Sequence, residues 1–118
     1  QCLVGSEMCI RDSLNSLCRQ RNLVPEQVIK KAQIDRTYGH QLFNGTRVPS
    51  RDKLLQLSIG MELDLKETQQ LLKTAGKSIL YAKIKRDAAV IYGITHHMDV
   101  MEVQGLLASI QAPLLGEA

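Results

Sequence analysis

One stretch of this chain occurs twice. The segment RDKLLQLSIGMELDLKETQQLLKTAGKSIL (51–80) aligns without a gap with RDAAVIYGITHHMDVMEVQGLLASIQAPLL (86–115), 35 positions later. Identities fall at Arg51/Arg86, Asp52/Asp87, Ile59/Ile94, Asp64/Asp99, Glu67/Glu102, Gln69/Gln104, Leu71/Leu106, Leu72/Leu107 and Leu80/Leu115. Each copy carries an Asp-x-x-Glu signal at its middle, an arrangement in which two side chains satisfy the free amides of a helix start. A unit of this length with one internal cap reads as two helices joined by a turn, used twice. Two copies are too few for a solenoid, so the second hairpin is expected to stack on the rest of one bundle.

The remaining punctuation is also helical. SLNSLCRQR places apolar residues on one face and ends near Asn22. Pro25 and Glu26 are good first-turn residues for PEQVIKKA. Asp35 is the natural N-cap for a helix over 36–43, and Asn44-Gly45 stops it, with Gly45 suited to a left-handed C-cap. Ser50 caps the next helix. Strand signals are almost absent, so the expected fold class is all-α. Aromatic residues are few (Tyr38, Phe43, Tyr81 and Tyr92), which leaves the interior to Leu, Ile, Val and Ala.

Residues 1–12, QCLVGSEMCIRD, have a poor helical pattern and resemble translated adapter sequence; they are read as a non-native segment. Ile10, Leu14, Leu17 and Cys18 nevertheless share a helical face, which can recruit the segment into the first helix.

Several function classes are disfavoured. Cys2, Cys9 and Cys18 are odd in number and lack CxxC or paired CxxH spacing, so neither a disulfide framework nor a zinc site is indicated. No apolar run approaches the roughly 18 residues of a membrane span, and no charged n-region precedes an apolar h-region. A cytoplasmic setting without membrane attachment is expected. No phosphate-cradling loop or nucleophile–base pair occurs at motif spacing, so neither an enzyme nor a cofactor is expected. His96-His97 is the one tempting metal signal, but adjacent helical side chains diverge by about 100° and no metal is assigned. Charge is unevenly placed. From Arg19 to Lys53 eight Lys or Arg face three acids, whereas the flanking stretches are each slightly acidic. That concentration suits a polyanion.

The ordered series VIKKAQIDRTYGHQLFNGTRVPSRDKLLQLS, within residues 24–63, resembles the lambda-repressor-like helix-turn-helix family of the Cro or XRE type. Its elements are a first helix, a turn, a second helix ending in Asn-Gly, basic residues, Pro-Ser and a Leu-rich helix. The resemblance covers about half the chain and implies a five-helix bundle over 13–77, with residues 78–118 as an added hairpin packed on it. It also implies double-stranded DNA as the partner, with the helix 36–43 in the major groove. Arg36, Thr37 and Gln41 then take the base-contact positions, with His40 beside them at the groove wall. Arg suits guanine and Gln suits adenine. Asn44, Thr46, Arg47, Ser50 and Lys53 take phosphate-contact positions, with Tyr38 and Arg51 as weaker additions. Asn44 has a rival role in the turn before Gly45.

Three positions depart from the family pattern. Pro25 stands where a Gln often reaches the DNA. Gln33 stands where the turn glycine is usual, at a cost of about 1 kcal/mol. Ile29 and Gly39 exchange the usual small and large residues across the helix-turn-helix angle, a swap that conserves volume.

The function implied is a DNA-binding transcriptional regulator, a repressor or autoregulator of a bacterium or phage. It would pair as a homodimer to read two half-sites. The alternative is a protein-interaction adaptor or antitoxin-type module, gripping a protein partner through residues 78–118.

Overall fold

The computed structural model describes residues 6–116, with side chains from Ile10 onward. Cys2 and the side chain of Cys9 lie outside the described residues. Seven helices and no strand are present among them: α1 (Ser6–Gln20), α2 (Pro25–Lys31), α3 (Arg36–Asn44), α4 (Arg51–Gly60), α5 (Leu65–Thr74), α6 (Lys85–Thr95) and α7 (Val100–Ser109). The all-α expectation holds.

Helix α1 begins seven residues ahead of Ser13 and takes in residues 6–12. The reason is the apolar face: Ile10, Leu14 and Cys18, four residues apart, are all buried. α1 packs against α3 and α5, α2 against α3 and α4, and α6 against α7. The core is aliphatic, with Leu14, Leu42, Leu54, Leu55, Leu57, Leu72 and Leu107 fully enclosed.

Helix starts follow the side-chain caps. Ser50 Oγ accepts from Lys53 N at 3.2 Å. Asp64 and Glu67 form a reciprocal capping box, and Asp99 with Glu102 forms another. Six of the seven described helices end with one closure. The amide of a left-handed residue donates three residues back, and the next amide donates five residues back, as in a Schellman turn. Asn22/Leu23, Gln33/Ile34, Glu62/Leu63, Gly76/Lys77, His97/Met98 and Gln111/Ala112 all close this way. Five of the six left-handed residues are not glycine, with φ between 56° and 58°. The apolar residue that follows most of them turns inward and anchors the closure: Ile34 and Leu63 are buried, and Leu23 and Met98 pack against the core.

The two copies of the repeated sequence make matching contacts. Gln69 Nε2 donates to Leu80 O at 2.9 Å, and its Oε1 accepts from Leu80 N at 2.7 Å. Gln104 and Leu115 repeat both bonds at 2.9 and 2.8 Å. Arg51 donates to the carbonyls of Ser78 and Ile79, and Arg86 to those of Pro113 and Leu114. Between the copies the pairing is reciprocal. Arg51 forks onto Asp87, and Arg86 forks onto Asp52. Tyr81 N donates to Asp87 and Gly116 N to Asp52. The same surface of each copy therefore faces the other, α4 packing on α7 and α5 on α6.

Arg51 is thus corrected from a weak phosphate candidate to a structural residue. Both its Nη atoms and its Nε are committed to Asp87 and to backbone carbonyls.

Candidate nucleic-acid interface

α3 is held at three points. Asp35 caps its start, accepting from Tyr38 N at 3.1 Å. Gly39, Leu42 and Phe43 bury its inner face. Asn15 Nδ2 donates to Phe43 O at 2.9 Å and fixes its end to α1. Beyond it Gly45 takes the left-handed conformation at φ 87°, as its place after Asn44 suggests.

α2 lies close against α3 because Gly39 has no side chain. An atom at its β position would fall 2.5 Å from Ile29 Cγ2. The turn between them puts Gln33 at φ 58°, so the expected left-handed residue is there without glycine. The small–large exchange read at Ile29 and Gly39 is a direct packing contact.

The outer face of α3 carries the candidate base contacts. Arg36 and Thr37 are exposed, the Arg36 side chain by 75%. His40 and Gln41 are half-buried one turn on. Two of these four are held by one acid. Glu26 Oε2 accepts from Arg36 Nε at 2.7 Å, and Glu26 Oε1 lies 2.9 Å from His40 Nε2. Arg36 and His40 are four residues apart, so they stand on one face and a single carboxylate from α2 reaches both. The hydrogen bond from Arg36, then that with His40, holds the Glu26 carboxyl below the usual carboxylate range. The same bond raises the Arg36 guanidinium above its ordinary value. Gln41 is held from the other side, its Oε1 accepting from Arg47 Nε at 2.7 Å.

The candidate phosphate contacts divide. Arg47 and Lys53 converge on Tyr38, their cationic groups 5.2 and 5.5 Å from the ring centroid. That distance is within cation–π range and holds both charges at the end of α3. Thr46 and Ser50 are exposed beside them. Ser50 also caps α4, leaving its hydroxyl hydrogen to donate elsewhere. Asn44 serves the turn, its Oδ1 accepting from Thr46 N at 2.9 Å. The rival role is the one its side-chain oxygen plays.

The histidine pair holds no metal geometry. His96 Nδ1 sits 2.9 Å from Tyr92 O and its ring stacks on Tyr92 at 3.9 Å, while His97 occupies the left-handed turn position. No cluster of three metal-ligating side chains occurs among the described residues. Nor is any described helix long and apolar enough to cross a membrane.

Glu26 and Asn15 are the residues that reading the sequence misses at this site. Glu26 reads there as a helix-starting acid, and nothing local says that α3 lies within its reach. No protein-family model, curated protein or solved structure matches the chain.

Proposed function

We propose that this chain is a sequence-specific double-stranded DNA-binding regulator, acting as a transcriptional repressor or autoregulator. On this reading residues 13–77, from within α1 to just past the end of α5, form a lambda-repressor-like helix-turn-helix bundle. Residues 78–118 are the added hairpin, and the regulator binds DNA as a homodimer. The observation that carries the reading is the exposed leading edge of α3. Arg36 and Thr37 are exposed at its start, while Arg47 and Lys53 gather over Tyr38 at the other end of the helix. A rigid rod with donors at its tip and cations at its heel suits base edges and phosphates respectively. No covalent chemistry is needed for this role, and none is proposed.

The test combines salt and mutation. Binding to duplex DNA should weaken steeply with salt, by a log–log slope of about −0.9 for each phosphate neutralised. Arg36→Ala should flatten the preference among sequences, whereas Arg47→Ala should weaken all sequences alike. A salt-insensitive interaction, or equal small effects from both variants, would contradict groove reading.

A second reading, an adaptor or antitoxin-type module, draws on a different observation. Tyr81, Ile84, Tyr92 and Met101 of residues 78–118 are large, apolar and at least half exposed. Such side chains suit a protein partner. Complex formation that persists at high salt and is lost on Met101→Glu would favour it.

A further inference from the structure

A carboxylate on a face offered to a polyanion calls for an explanation. Glu26 lies in the first turn of α2, and its side chain is half-exposed. It bonds the two residues of α3 that share the leading face, Arg36 at 2.7 Å and His40 at 2.9 Å. The bond to Arg36 goes through Nε, so both Nη groups remain for an outside acceptor. An Arg held by Nε presents a fork in one orientation, the geometry that guanine O6 and N7 require. The negative charge also cancels a cation at the point where a misplaced phosphate would otherwise settle. Gly39 and Ile29 set the interhelical approach that brings the acid within reach.

We propose that Glu26 is a specificity-determining positioning residue. It orients Arg36 for base reading and suppresses binding to non-cognate DNA. This rests on the DNA-binding reading above. Loss of the acid should therefore increase total affinity and reduce discrimination, the opposite of what loss of an ordinary contact does. The effect is electrostatic as well as geometric, because like-charge juxtaposition chiefly penalises wrong partners.

The experiment uses the full chain as wild type, Glu26→Gln and Glu26→Ala. Each is titrated against a duplex selected by the wild type from a random pool, and against a shuffled duplex of equal length and composition. Several KCl concentrations are used. Glu26→Gln should bind the shuffled duplex about tenfold more tightly, with a salt slope steeper by about 0.9, as expected for one more uncompensated cation. Affinity for the selected duplex should change much less, so the specificity ratio falls. Glu26→Ala, which removes the hydrogen-bond acceptor as well, should lower the ratio further. An unchanged ratio and slope in both variants would overturn the proposal while leaving DNA binding intact. A changed preferred base with an unchanged ratio would also overturn it, since Glu26 would then read a base itself. A wild type that distinguishes no duplex would overturn it together with the DNA-binding reading. Thermal unfolding of the variants separates these outcomes from misfolding, and Glu26→Gln at an exposed site should fold as the wild type does.

Discussion

Ile29 fills the space that a side chain on Gly39 would need. A β-carbon there would lie 2.5 Å from Ile29 Cγ2 and 2.7 Å from Cγ1, so α2 and α3 meet through one large and one absent side chain. Gly39→Val alone should overpack the contact by about 1–3 kcal/mol. Ile29→Ala alone should leave a cavity costing about 2–5 kcal/mol. The double change restores volume from the other helix and should cost less than the two added together. A thermal-unfolding double-mutant cycle checks this, and strict additivity contradicts the pairing.

The reciprocal ion pairs between the repeated segments are not equal. The Asp87 side chain is 5% exposed and accepts from both Nη atoms of Arg51 and from Tyr81 N. Asp52 is 20% exposed in the matching place. Removing one partner of a buried pair strands the other charge, so Asp87→Ala should destabilise by about 3–5 kcal/mol. Asp52→Ala should cost clearly less, because the Asp52 carboxylate is itself open to water, as is the Gly116 amide that it would release. Urea unfolding that finds equal losses would contradict this ordering.

What the sequence reveals is what is local. Ser50, Asp64 and Asp99 cap helices by bonding amides three residues away, and each is legible from its neighbours. The repeat is legible too, as is the contact between Ile29 and Gly39, because the swap of sizes is visible in the letters. The pairing of Arg51 with Asp87 is not. The repeat supplies two Arg-Asp dipeptides, but which Arg meets which Asp depends on how the copies stack. For the same reason Arg51 reads as a surface cation while four of its five N–H donors are bonded to Asp87 and to backbone carbonyls. The helix ends at Glu62, His97 and Gln111 are hidden because non-glycine residues hold left-handed φ there. Glu26 is hidden at the candidate site because its partners lie on another helix.

Gly105 is a glycine without a structural reason in this chain. It sits within α7, is exposed, and an added β-carbon would meet nothing within 4 Å. Gly105→Ala should therefore stabilise the protein by about 0.5–1 kcal/mol through helix propensity. A rise in unfolding temperature checks it, and a fall would mean that the position is packed.

The clamp at Glu26 has a pH signature. Its folded-state carboxyl titrates below the ordinary value, through Arg36 first and His40 second. For a lowered acid the favourable interaction is complete above the unfolded value and is lost as pH falls through the folded value. Carboxyl-carbon NMR should place the Glu26 midpoint low in the wild type and move it upward in Arg36→Ala. A midpoint unmoved by that substitution would show that the bond to Arg36 does not govern it.

Selection of bound sequences from random duplex DNA tests the central claim most directly. A short motif read by α3 should be recovered, repeated with two-fold symmetry at centres about 34–36 Å apart. A pool that stays random after repeated rounds, with the protein folded, would contradict it.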